Sequence, residues 1–162
     1  MKKTLFSIFF LFCFLKMAHT ESIQVVFNRD CEGQLVSHIV KAKKNIKVAI
    51  YSFTRFKVAR ALINAKNKGV KVELVVDGKQ AEGEYGDKII QLLNNNGIKP
   101  QLIFKEHGHM HHKFMIIDES ITLTGSYNFS TNAAKLSDES LLIIDNKKIA
   151  QKFINEWQRL LK

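Results

Sequence analysis

From Glu21 onward the chain alternates between two hydrophobic periods, and this alternation restricts the fold more than any single residue does. Ile23, Gln24, Val25, Val26 and Phe27 read as a strand, after which Leu35, Val36, Ile39 and Val40 recur at helical spacing. Residues 46–53 are again strand-like, with Ile46, Val48 and Ile50 on one face. Phe56, Ala59, Leu62 and Ile63 make a helical stripe that Gly69 closes, and residues 70–76 form a third strand. The polar, glycine-containing stretch 77–87 reads as a loop, before a helix near 88–95 that Gly97 ends. Strands follow at 100–104, 113–118 and 121–124, then a helix around 130–135 and a last strand at 140–144. The final helix carries Ile149, Phe153, Trp157 and Leu160 on one face. Strands in alternation with helices imply the α/β class, with a mixed β-sheet sandwiched between helices. No repeat, linker or low-complexity segment divides residues 21–162, which are expected to form one domain.

The first twenty residues have a different character. Met1-Lys2-Lys3 precedes an apolar run from Leu5 to Leu15, interrupted by Ser7 and stopped by Lys16, with Met17-Ala18-His19-Thr20 after it. A basic start, a short apolar stretch and a small-residue exit describe a secretory signal peptide. The run is shorter than the roughly 20 residues a spanning helix prefers, yet an uncleaved N-terminal membrane anchor stays open as the alternative. Either way the domain is expected to be exported: periplasmic, secreted or attached to the inner membrane. Beyond this segment Cys31 is the one thiol, so an internal disulfide is excluded there and the core must hold the domain. Of the formal charge of +10, Lys2, Lys3 and Lys16 contribute three, which leaves +7 on residues 21–162. That excess favours a polyanionic partner, either nucleic acid or an anionic membrane surface.

The chemistry-bearing residues concentrate between His107 and Glu139. In an extended segment His111 and Lys113 project to the same side, while Phe114 and Ile116 turn to the other and enter the core. Ser126 and Asn128 repeat this spacing just after Gly125, which is read as the residue that lets the backbone turn. An imidazole, an ammonium, a hydroxyl and an amide at one spot suit a phosphoryl group. Its oxygens need donors, and its phosphorus needs a nucleophile. His107, His109, His111 and His112 together look like a metal-binding tract. No Cys, Asp or second histidine pair at ligand spacing closes such a site, so no metal or other cofactor is expected. His109 and His112 are read instead as lining the substrate groove. Residues 51–55 lie at a strand's end, where α/β sites collect, although plain loop placement explains them as well. Trp157 reads as a core residue, and Cys31 as a small residue at a helix start.

The spacing His111-x-Lys113-x4-Asp118-x6-Gly125-Ser126-x-Asn128 resembles the motif of the phospholipase D superfamily. The small size, the export segment and the stretch from Thr124 to Ser130 are similar to its bacterial single-motif endonuclease branch. The resemblance implies a phospholipase D-like domain that cleaves phosphodiesters without a metal. It also implies a catalytic set of His111, Lys113, Asp118 and Glu139, with Lys113, Ser126 and Asn128 on the substrate phosphate. In such enzymes the histidine matching His111 forms a phosphohistidine, and a second histidine protonates the leaving oxygen. The acid best matched by Glu139 orients the histidine. Asp118 has the opposite strand parity to His111 and Lys113, which gives it a structural role at the turn into Glu119 and Ser120 despite its place in the motif.

The motif occurs once in this chain and the mechanism needs it twice, so a homodimer sharing one site is expected. The motif identifies the bond and leaves the molecule open. The +7 charge and the basic residues of the first half favour nucleic acid, single-stranded DNA first. Two alternatives remain: a phospholipase D-type lipid phosphodiesterase at the cell envelope, and a nucleic-acid capture module for DNA uptake.

Overall fold

Alternating apolar residues make Ile46, Val48 and Ile50 one face of a strand and Ala49 the other, and both faces are fully buried. Such a strand must lie mid-sheet with helices on either side. The computed structural model describes residues 21–162, so the expected signal or anchor at 1–20 lies outside the described residues. The elements run β1 (Ser22–Phe27), α1 (Asp30–Lys41), β2 (Asn45–Ile50), α2 (Phe56–Asn67), β3 (Lys71–Asp77), α3 (Gly78–Ala81), α4 (Glu84–Asn95), β4 (Gln101–Ile103), β5 (Lys113–Ile117), β6 (Ile121–Gly125), α5 (Thr131–Lys135), β7 (Ser140–Asp145) and α6 (Lys147–Leu160). They build one seven-stranded sheet in the order β1-β7-β6-β5-β2-β3-β4. The β2, β3 and β4 strands are parallel, as helical crossovers require. The β5, β6 and β7 strands form an antiparallel meander that joins β2 through β5 and is edged by β1.

Two cores follow from the alternation. Ile46, Val48, Ile50, Leu74, Met115 and Ile117 pack with Leu35, Ile39, Leu62, Ile89 and Leu93, which belong to α1, α2 and α4. On the other face Ala49, Val75, Phe114 and Ile116 meet Ala150, Ile154, Trp157 and Leu160 of α6. The Trp157 indole N–H donates to the Val48 carbonyl at 3.0 Å, which satisfies its one polar atom inside the core. Among the described residues no helix is long and apolar enough to cross a membrane.

The structure corrects the sequence reading in four places. Residues 77–87 are not a loop: Asp77 caps α3 by accepting the Gln80 N–H, and α4 already begins at Glu84. β2 stops at Ile50, and Phe53 makes only an isolated parallel bridge to Phe129. The buried stripe of α6 is Ala150, Ile154, Trp157 and Leu160, with Ile149 and Phe153 at its margin. Gly125 is required for close approach rather than for a turn, because a Cβ there would stand 2.1 Å from the Ser140 carbonyl oxygen.

Candidate active site

The ends of β2, β3 and β6 and the beginnings of β5 and β7 meet at one end of the sheet, because β5 and β7 run antiparallel to their neighbours. The residues carried there are Tyr51, Asp77, Ser126, His111 to Lys113, and Glu139. A cleft of about 530 Å³ opens between them, lined among others by His111, Lys113, Ser126 and Glu139.

His111 and Lys113 stand together. The Lys113 ammonium donates to the His111 carbonyl at 2.9 Å and lies 3.2 Å from both ring nitrogens. Tyr51 backs the pair, with its ring centroid 4.4 Å from that of His111 and 5.0 Å from the Lys113 nitrogen. Partial desolvation, together with the Lys113 cation and His109, holds the His111 imidazole below its ordinary pKa, and Asp77 opposes them. Burial likewise pushes the Lys113 ammonium down, with Glu139 opposing. A neutral imidazole with a lone pair, beside a fixed cation, is what attack on an anionic phosphoryl group requires.

The loop that carries His111 is anchored from below. Asp77, 1% exposed, accepts the Met110 N–H at 2.8 Å through one oxygen and the Gln80 N–H at 3.1 Å through the other. His109 stands over the same carboxylate at 3.9 Å and edge-on to Tyr51. Tyr51 lies in the strand-end stretch flagged by the sequence. Asp77 directly follows an apolar strand and precedes a glycine, a capping signal that could have pointed to it.

The other expected residues divide. Ser126 donates to the Glu139 carboxylate and accepts the Ser140 N–H at 3.0 Å. Within one copy Glu139 therefore pairs with Ser126 and makes no hydrogen bond to His111, and Asn28 pins its backbone in both directions at 2.8 and 2.9 Å. Tyr127 turns into the core between Ser126 and Asn128. The Asn128 amide oxygen accepts the Ser52 N–H at 3.3 Å, while its amide nitrogen makes no hydrogen bond among the described residues and is left to donate. His112 lines the cleft as expected, with its ring held by Glu156 of α6 at 2.8 Å. Arg159 and, beyond it, His112 draw the Glu156 carboxyl down to about 2, against the effect of desolvation. No local signal in the sequence links Glu156 to this strand.

Asp118, counted in the expected catalytic set, is at the far end of β5. It and Glu119 take positive φ (51° and 58°), the sign a type I′ hairpin turn demands. Its carboxylate accepts the backbone N–H groups of Lys43, Lys44 and Asn45 at 2.7 to 3.2 Å. Burial raises its carboxyl, but these three donors outweigh it and bring the group below its ordinary value. The odd parity that separated it from His111 and Lys113 has this physical outcome. Among the described residues no three His, Cys, Asp or Glu side chains gather where they could hold a metal ion.

Comparison with known proteins accords with this geometry. Residues 35–161 match the family described as cardiolipin synthase, PLD-like domain. A phospholipase D of Rickettsia prowazekii is 30% identical over 129 residues, covering 78% of this chain and 60% of the relative. A mitochondrial cardiolipin hydrolase of Xenopus tropicalis is 27% identical over 148 residues, covering 91% of this chain and 65% of the relative. The chain thus spans less than two thirds of the length of either. Among solved structures, Nuc of Salmonella typhimurium, a phospholipase D family member, superposes with a TM-score of 0.83 at 30% identity, over 88% of this chain and 95% of that one. NucT of Helicobacter pylori does so with a TM-score of 0.76 at 26% identity, over 88% and 96%. On the match across residues 35–161, the chain belongs to the phospholipase D superfamily.

Proposed function

We propose that this chain is a metal-independent phosphodiesterase that cleaves nucleic acid, single-stranded DNA before other forms, at a site shared by two copies. The observation that carries the chemistry is the contact of a neutral, partly desolvated His111 with the Lys113 ammonium inside one cleft. His111 attacks phosphorus, so that an N–P bond forms while a P–O bond to one nucleoside breaks. The leaving oxygen takes its proton from the second copy's His111, which enters the step as imidazolium and leaves it as neutral imidazole. Water then gives a proton to that imidazole and attacks phosphorus, the N–P bond breaks, and His111 is regenerated. Lys113 and the Asn128 amide nitrogen receive the phosphate oxygens. A second copy is required because the remaining imidazoles near His111 are directed elsewhere, His112 to Glu156 and His109 to Asp77. Nucleic acid is favoured by the +7 charge of residues 21–162 and by the likeness to Nuc and NucT over most of their chains. The apolar run at 5–15 supports action outside the cytoplasm, free or held at the inner membrane.

A lipid phosphodiester is the second reading, favoured by the names phospholipase D and mitochondrial cardiolipin hydrolase among the relatives. The test incubates the purified protein and its His111→Ala variant, in excess EDTA, with single-stranded DNA, duplex DNA, RNA and a fluorescent phosphatidyl lipid. Light scattering reports the mass of the assembly alongside. Cleavage of polynucleotide by the parent alone, from a dimer, is expected. Cleavage of lipid that DNA does not compete away would transfer the reading to lipid. Activity only after a divalent metal is restored would overturn the mechanism.

A further inference from the structure

A second concavity is built partly from the chain that leaves Tyr51, and its lining side chains carry no charge. It encloses about 470 Å³ and is lined by Ser52, Thr54, Tyr85, Ser130, Thr131 and Asn132, a size ordinary for a small-molecule site. It is tied to the active site through the chain, since Ser52 follows the Tyr51 that backs His111 and gives its N–H to Asn128. The lining consists of hydroxyls, one amide and one aromatic ring. A phosphate subsite would carry cations, and an acyl-chain subsite would be apolar throughout. Uncharged donors and acceptors around a ring match a heteroaromatic base, which has one π-face and a polar edge.

The ring is held in place by its surroundings. Tyr85 sits in the first turn of α4 and is 60% exposed, so its ring is accessible from solvent. Gly86, next to it, lies against α3 so closely that a Cβ would stand 2.3 Å from the Gln80 carbonyl oxygen, which fixes that turn to the end of β3. Lys88, tied to Glu84 at 2.8 Å, places its ammonium 5.2 Å from the ring centroid. On the opposite wall the Thr54 N–H is bound to the Phe129 carbonyl at 2.8 Å, and Ser130 caps α5 through Ala133. The side chains of Ser52, Thr54, Thr131 and Asn132 make no hydrogen bond among the described residues.

We propose that this cleft is a nucleobase subsite, in which Tyr85 stacks the base next to the scissile phosphate and the hydroxyls and amide meet its edge. The inference rests on the nucleic-acid reading above. The full-length protein and its Tyr85→Ala and Tyr85→Phe variants are compared on two single-stranded oligonucleotides, one of ordinary deoxynucleotides and one of abasic residues with the same phosphates. Thermal melting checks that all three are folded. The parent is expected to show a KM about tenfold lower for the base-bearing strand, the scale of one stacked base. Tyr85→Ala should erase this preference by raising that KM alone, and Tyr85→Phe should keep it, because the ring and not the hydroxyl stacks. Equal KM values for parent and Tyr85→Ala on the base-bearing strand would overturn the subsite while leaving the nuclease reading intact. No cleavage of either strand by the parent would overturn both. A Tyr85→Ala defect confined to phosphatidyl vesicles would reassign the cleft to a lipid headgroup.

Discussion

Strand β5 enters and leaves the sheet past two carboxylates that work alike and serve different ends. At its start Asp77 takes two backbone N–H groups, one of them from Met110, in the loop that delivers His111. At its finish Asp118 takes three, two from the α1–β2 connection and one from the first residue of β2. Beside the first clamp the side chains are left with capacity to spare: a neutral imidazole, an ammonium displaced from its ordinary pKa, and an amide nitrogen with nothing to donate to. At the second, the carboxylate is engaged by the backbone, and the one atom left over nearby is the Asn45 amide oxygen, buried where no substrate reaches it. The two ends differ in whether the unsatisfied groups face a cleft, and membership of a shared motif does not separate them.

The comparison breaks most visibly at Lys113. Lys113→Met keeps the stem and removes the charge, and kcat is expected to fall about 10²–10³-fold, the scale of one electrostatic donor to a developing oxyanion. Because the ammonium depresses the His111 pKa, the rising limb of kcat/KM against pH should move to higher pH in this variant. A limb that stays in place would mean that Lys113 acts on substrate alone. Asp77→Asn tests the first clamp and should cost about tenfold in kcat/KM through a displaced His111 loop. Its limb should move the opposite way, to lower pH, since the Asp77 charge raises the His111 pKa. Rate lost without that movement would leave Asp77 a purely structural brace.

Asp118→Asn is the smallest effect and the sharpest contrast, with rate per folded molecule unchanged and stability lower by about 1–2 kcal/mol. The folded-state pKa of Asp118 lies below its ordinary value. Its contribution is therefore present above the ordinary carboxylate range and is lost as pH falls through the folded value. Melting temperature against pH should accordingly lose part of its acid slope in the variant. A rate loss like that of Lys113→Met would put Asp118 back among the catalytic residues and dissolve the comparison.

Much of this was readable from the chain. The period-two pattern separated Phe114 and Ile116 from His111 and Lys113, and Asp118 from both, because side-chain parity is a local property of an extended backbone. The same reading mistook residues 77–87 for a loop. One short helix and the first turn of α4 hid behind three glycines, of which Gly86 is there for contact with Gln80 and not for flexibility. It also joined Glu139 to His111, when within one copy the partner is Ser126 at the neighbouring strand end. Sequence spacing cannot rank candidates that meet only through strand pairing.

Sequence alone determined the class of fold, the places of most strands and helices, and the residues on which the proposed phosphoryl chemistry rests, since each depends on near neighbours in the chain. Tertiary structure decided that Tyr51 backs His111, that Asp77 holds its loop, that Glu156 fixes the His112 ring, and that Tyr85 stands beside Ser52 and Thr131. Those contacts join residues tens of positions apart. Each side chain there has several chemically acceptable partners, and only the order of the strands selects among them.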